Sequence, residues 1–233
     1  PMSSLTLSTP FKHIKSNIQI HPKITAVINS SQSNSNKISN EDSTNNSFEI
    51  INQTDLNRYT GTDKLDNSKR IVYGFEITKD KINLNFIQNY EFLKNSNYHS
   101  ATGNDYYLSD ALGSIKYSGE KNTFNYDLRY NPHLKGVKSQ GLTYTNSNKI
   151  GDTTLIYTST KKENNKILED GNEVLNYNFK SKKFKKYSEI HFSGSQDLQT
   201  DKQKEFNIGY SFFDECFGIN LEFERIKYSD DEL

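Results

Sequence analysis

The chain has 233 residues, enough for one all-β domain or a piece of a larger one. Its 29 Lys and Arg balance 29 Asp and Glu, which leaves no electrostatic case for a nucleic-acid partner. Only 32% of residues are hydrophobic, poor material for a two-layer soluble core but adequate where inward side chains line water inside a barrel.

No run approaches the ~20 apolar residues of a spanning helix, which excludes a helical membrane protein and leaves a membrane barrel open. The aromatics are all Phe and Tyr, residues that suit strands and membrane girdles. The Asn and Lys excess has a plain source in biased codon usage. The opening Pro1-Met2-Ser3 shows no basic and apolar leader, so the expectation is a cytosolic protein or an internal fragment. A single cysteine forms no internal disulfide and does not settle the compartment.

Leu5 and Leu7 alternate before Thr9-Pro10, which predicts a short strand and then a turn. An extended stretch follows from about Lys12 to Asn29, interrupted at His21-Pro22, where proline removes a ladder donor. Ser30 to Asn57 is polar and low in complexity, and a long polar loop is expected at about 30–69. Ile71, Tyr73, Phe75 and Ile77 share one parity, as do Ile82, Leu84 and Phe86, with Lys79–Lys81 as the connection. Few strand signals follow through Asn104. Strands then return at Gly113–Ser118, Thr123–Tyr130, Val137–Thr145, Thr153–Thr160, Glu173–Lys180, Tyr187–Gly194, Glu205–Phe213 and Cys216–Tyr228.

The last two form the clearest unit. Phe206, Ile208, Tyr210 and Phe212 alternate with polar residues, and so do Phe217, Ile219, Leu221 and Phe223. Successive strand side chains point to opposite faces, so each run has one apolar and one polar face. Asp214-Glu215 leaves room only for a tight reversal, the shortest in the chain by this reading. No stretch carries a helical period.

The predicted connections alternate in length. Short or moderate ones fall at Thr9-Pro10, 79–81, 119–122, 146–152, 181–186 and 214–215; longer ones fall at 30–69, 91–112, 161–172 and 195–204, with 131–136 the exception. Up-and-down strands put alternate connections at opposite ends, and outer-membrane barrels have short periplasmic turns and longer extracellular loops. The fold class expected is therefore all-β: an antiparallel up-and-down transmembrane β-barrel, present in part, with about eleven or twelve strands, most of about 8–11 residues, near the ~9–11 a tilted strand needs to cross the bilayer.

Side chains that could carry chemistry are better explained by this architecture. His13, His21, His99, His133 and His191 show no metal-ligand spacing, and Cys216 has no nearby histidine in sequence. Glu189, His191 and Ser193 share a strand face, but residues two apart lie roughly 6–7 Å from one another, too far for a hydrogen-bond relay. Glu222 and Glu224 occupy the polar parity of a strand and need no glycosidase pairing to explain them. The basic run Ser181–Lys186 falls at a short turn and reads as a solvated loop. Neither an enzyme nor a cofactor is expected.

Residues 40–63 read NEDSTNNSFEIINQTDLNRYTGTD. The segment resembles a loop of the LptD (OstA) family of lipopolysaccharide-assembly proteins. The resemblance rests on Asn40, Glu41, Asp42 and Ser43, then Phe48-Glu49 and Leu56, then Asn57, Arg58, Gly61 and Asp63. Arg70, Tyr73 and Gly74 continue it, as do Leu108-Ser109-Asp110, Gly209-Tyr210, Asp214-Glu215-Cys216 and Phe223-Glu224-Arg225. The ordered set carries the resemblance, from about Phe11 to Leu233. Many members have two adjacent cysteines where this chain has Glu215-Cys216.

The resemblance implies that 1–233 is a partial, carboxy-terminal outer-membrane barrel domain, without the family's periplasmic domain, the first half of its barrel or its last strand. It implies transport of lipopolysaccharide and its insertion into the outer leaflet of the cell outer membrane. It implies as partners lipopolysaccharide, an LptE-type lipoprotein plug and, through the upstream domain, a periplasmic LptA-type slide protein. It also implies that Cys216, beside a periplasmic turn in an oxidising compartment, is a disulfide candidate whose partner lies upstream of this chain. The competing readings are another outer-membrane barrel, such as a porin or a lipid-modifying hydrolase, and a soluble β-rich surface-binding module.

Overall fold

The structure is a computed structural model and describes residues 2–29, 50–59, 65–93, 103–104, 106–164, 167–184 and 187–226. Thirteen strands form among them: β1 (Met2–Ser8), β2 (Phe11–His13), β3 (Ile18–Asn29), β4 (Ser68–Lys79), β5 (Ile82–Glu91), β6 (Ala111–Ser118), β7 (Asn122–Asn131), β8 (Gly136–Ser147), β9 (Gly151–Asn164), β10 (Ile167–Ser181), β11 (Ser188–Asp197), β12 (Lys202–Phe213) and β13 (Gly218–Ile226). A single 3-10 turn, Ile50–Asn52, is the only helical element among the described residues. The strands pair antiparallel in the order β1-β3-β4-β5-β6-β7-β8-β9-β10-β11-β12-β13, with the short β2 beside β3. Consecutive strands are neighbours, the up-and-down order expected; twelve strands lie on this path and β2 is the thirteenth.

The chain divides into two compact units. One comprises Pro1–Ile115, Asp127–Lys138 and Lys162–Glu169; the other comprises Lys116–Tyr126, Ser139–Lys161 and Asp170–Leu233.

In the first unit the apolar parity runs in rows across the strands. Ile20 faces Ile77 and Ile77 faces Leu84; Phe75 faces Phe86; Ile24 faces Tyr73. The Phe75 and Phe86 rings stack with centroids 5.4 Å apart. This face remains exposed: Leu5 and Leu7 are 65% and 67% accessible, and Ile24 and Ile28 are more than half accessible. Where β3 and β5 end and β4 begins, the opposite parity is buried. Val72, Ile87 and Leu112 make a small core against which Ile50 packs, and polar Thr25, Asn29, Ser68, Arg70, Asn89 and Glu91 continue that surface.

The predicted turn at Thr9-Pro10 is not a reversal. Ser8 pairs with Lys23 and Phe11 with Ile20, so β1 and β2 follow one register along β3 and are a single strand interrupted at the proline. The chain reverses instead at 14–17, where Asn17 takes the left-handed backbone (φ 50) that asparagine tolerates. The extended stretch from Lys12 to Asn29 is thus two strands. At His21-Pro22 the pairing with β4 continues unbroken, because Pro22 takes its place opposite Phe75.

In the second unit the clearest predicted hairpin forms as β12 and β13, with Ile208 opposite Phe223, Tyr210 opposite Leu221 and Phe212 opposite Ile219. The reversal is longer than the sequence indicated. It spans Asp214–Phe217, closed by the Asp214 amide donating to the Phe217 carbonyl at 2.8 Å, so Cys216 lies inside the turn. The two-residue turn Asp80-Lys81 is shorter.

The alternation of loop lengths holds only in the first half. The connection between β3 and β4 is long and so is that between β5 and β6. Those predicted at 161–172 and 195–204 shrink because β9 runs to Asn164, β10 begins at Ile167, β11 ends at Asp197 and β12 begins at Lys202. Polar residues there pair across strands rather than loop out, as when the Asn164 amide donates to Glu169 at 3.0 Å.

Candidate functional site

The best-built feature lies where the long connection after β3 returns to the ends of β4 and β5. Arg70 and Glu91 are direct cross-strand partners. Both share the parity of Val72 and Ile87, so their side chains point to the covered face, and Arg58 and Asp66 join them from the connection. Arg58 Nε donates to Asp66 Oδ2 at 2.7 Å and Nη2 donates to Glu91 Oε1 at 2.5 Å. Arg70 Nη1 reaches Asp66 Oδ2 at 3.3 Å and Ser68 Oγ at 2.9 Å. Ser68 Oγ lies 2.9 Å from each Glu91 oxygen. All four charged side chains are essentially inaccessible, at 0–2%.

Two cations and two carboxylates cancel formally, and shared hydrogen bonds make their burial tolerable. An isolated charge there would lose several kcal/mol of hydration. Neutral groups complete the shell. Arg58 Nη1 donates to Asn104 Oδ1 at 3.0 Å, and the Asn89 amide donates to Gln53 Oε1 at 2.8 Å. Arg70 also donates to the Gln53 and Asp55 carbonyls. The Asn57 carboxamide oxygen accepts from the Asp66 amide at 3.0 Å and holds the connection in a local turn. Within the cluster each charge is matched by an opposite one. The arrangement locks residues 50–59 over the sheet.

A second pair stands beside it in the same unit. Arg129 Nε donates to Asp110 Oδ2 at 2.6 Å, and Ser109 Oγ accepts from the Asn89 amide at 3.0 Å.

Of the residues singled out from sequence, Asn57 and Arg58 sit inside this cluster. Asn40, Glu41, Asp42, Ser43, Gly61 and Asp63 lie outside the described residues, as does His99. Asp66, Ser68, Glu91, Asn89 and Asn104 were not singled out. Parity carried a signal for two of them: a charged residue at 91 and an amide at 89 fall on the core-facing side of β5, positions that demand partners.

The remaining candidates are dispersed. Glu189 bridges Lys180 at 3.0 Å, while His191 Nε2 lies 3.8 Å from Glu222 Oε1 on β13 rather than beside Ser193. The Asn207 amide donates to Glu222 at 2.7 Å. Lys182 of the basic run bridges Asp152 at 2.7 Å; Lys185 and Lys186 lie outside the described residues. Cys216 is a free, exposed thiol.

Among the comparisons with known proteins, residues 2–211 match the model of the family LptD, LPS transport system D. No curated protein matches the chain.

Proposed function

The chain belongs to the LptD family of lipopolysaccharide transport, and from that membership we propose that residues 1–233 form one partial barrel domain, with a long polar loop at about 30–69, that helps move lipopolysaccharide to the outer leaflet of the outer membrane and insert it there. The observation that carries this reading is the exposed apolar parity. Ile24 and Ile28 on β3 are 52% and 54% accessible while Thr25 and Val27 between them are 1% and 0%, and Phe75 on β4 is 38% accessible against 2% for Val72. Isoleucine and phenylalanine exposed on one side of these strands suit acyl chains as solvent, while the polar parity suits a wet lumen for sugars. No covalent chemistry is needed.

In this reading the residues of the motif loop, Asn40 to Ser43 and Asn57 to Asp63, belong to an extracellular loop whose anchor is the Arg58 cluster. The reading takes an LptE-type lipoprotein in the lumen and an LptA-type slide protein feeding an upstream domain. Cys216, exposed in the reversal after β12, faces the periplasm and bridges a cysteine outside this chain.

The test of the translocation reading replaces the full-length protein in cells by Leu221→Arg or Asn220→Arg. A guanidinium on the lipid face costs up to about 2–4 kcal/mol near the midplane. Leu221→Arg is expected to lower both folded barrel and surface lipopolysaccharide, with Asn220→Arg near wild type; equal defects would sink the face assignment. For the disulfide, Cys216→Ser should abolish a reducible mobility shift on non-reducing gels and sensitise cells to large hydrophobic antibiotics while the barrel still forms. An unchanged oxidised pattern with normal resistance would leave Cys216 a passive thiol.

A further inference from the structure

The polar parity of the first strands is organised in rows. One runs Ser8, Lys23, Gly74, Ile87; its neighbours run Thr6, Thr25, Val72 and His21, Glu76, Asn85. Gly74 is a gap in the central row. A Cβ there would lie 2.3 Å from the Phe86 carbonyl oxygen and 3.1 Å from Ile87 Cα, so this backbone admits no side chain. Over the gap sits a cavity of about 580 Å³, open to solvent and bordered by Ile50 and Thr54 of the connecting segment. Ile50 is held there by Val72 and Ile87, and the Arg58 cluster fixes the rest of the segment.

The lining has a definite chemistry. The hydroxyls of Ser8 and Thr54 and the Thr6–Thr25 hydroxyl pair, joined at 3.0 Å, supply short donors and acceptors, and Ile50, packed on the buried Val72 and Ile87, supplies one apolar patch. Glu76 is engaged by the Asn83 amide. Lys23 lines the same space, and among the described residues no carboxylate lies in ion-pair range of it. The volume is that of a small-ligand site. A polyhydroxylated ring with one apolar side and one negative group meets each of these features.

We infer that this cavity binds an anionic sugar residue, its hydroxyls on Thr6, Ser8 and Thr54, its C–H face on Ile50, and its phosphate or carboxylate on Lys23. Two sources share this chemistry: the saccharide of lipopolysaccharide, which rests on the proposed function, and a free sugar phosphate, which does not.

The experiment is calorimetric titration of the purified full-length protein in detergent. The probes are acyl-free core oligosaccharide released from lipopolysaccharide, the same oligosaccharide after phosphatase treatment, and glucose 1-phosphate. Heat-modified gel mobility establishes that each variant keeps its barrel. Lys23→Ala should weaken the phosphorylated oligosaccharide about tenfold, the size of one charge-assisted hydrogen bond, and leave the dephosphorylated form unchanged. Ser8→Trp, which fills the cavity, should abolish binding of both, and Lys204→Ala in the other unit should do nothing. Tight binding of the oligosaccharide alone assigns the site to lipopolysaccharide; equal binding of glucose 1-phosphate assigns it to free sugar phosphates. Wild-type affinity in Lys23→Ala, or binding that survives Ser8→Trp, overturns the inference. Sugar binding with normal surface lipopolysaccharide in the Leu221→Arg cells would break the translocation reading alone.

Discussion

At the ends of β4 and β5 the polar parity carries Arg70, Asn89 and Glu91, nearly inaccessible and hydrogen-bonded to covering side chains. On β12 and β13 the same parity carries Asn207, Ser211, Asn220 and Glu222, joined across the pair: Ser211 Oγ donates to Asn220 Oδ1 at 2.8 Å, and Asn207 donates to Glu222. Both regions obey one alternation of side chains. In the first, a chain segment folds back over the polar face and replaces water. In the second, every residue of β13 is exposed. A sheet face is therefore not polar or apolar core by pattern alone; what lies over it decides whether its charges need partners or merely tolerate them.

The largest effect expected from this contrast is in the covered region. Asp66→Ala removes the carboxylate shared by Arg58 and Arg70 and leaves two buried cations against Glu91. A loss of about 3–5 kcal/mol is expected, read as lowered denaturant resistance and faster proteolysis within residues 50–59 of the full-length protein. An unaltered digestion pattern would mean that the segment is held by Ile50 packing and not by the charges.

A middling effect is expected in the second unit, where close backbone approach replaces burial. At Gly194 an added Cβ would lie 2.3 Å from Tyr177 Oη and 2.7 Å from the Glu205 carbonyl oxygen. Gly194→Ala should cost about 1–3 kcal/mol in a detergent unfolding assay. Adding Tyr177→Ala should recover only the part owed to the ring, since the carbonyl conflict stays. Full recovery would show that β11 and β12 yield more readily than the covered strands.

The smallest effect belongs to the exposed charges. Lys182 and Asp152 pair at 2.7 Å but remain 47% and 50% accessible. Lys182→Ala should leave stability close to wild type, and closer still in high salt. A loss comparable to Asp66→Ala would erase the distinction between the two regions.

Much of the fold was legible because period-two alternation is strong where aromatic and branched residues face one side. Ile71 to Ile77 and Phe206 to Phe212 gave both strand and face. The polar ends of β9 and β10, KKEN and ILEDGN, read as loop because no apolar residue marks a face, yet a hairpin once started continues on backbone bonds alone. The break at Thr9-Pro10 read as a turn because proline ends a ladder equally well by reversal or by interruption. The charged cluster was half visible. Arg58 came from the motif, but its partners at 66, 91 and 104 are distant in sequence, and no local pattern announces such a meeting.

That distance has a consequence for the order in which the molecule is made. The Arg58 guanidinium joins residues 8, 33 and 46 positions away in the chain. Hairpins such as β4–β5 close short loops and pay little entropy, whereas the cluster gains its bonds only after β5 has paired and residue 104 has arrived. Arg58 is therefore among the last groups in its unit to find its place. Protection of residues 50–59 from protease during assembly would mark the moment at which the first unit is complete, a clock set by one side chain.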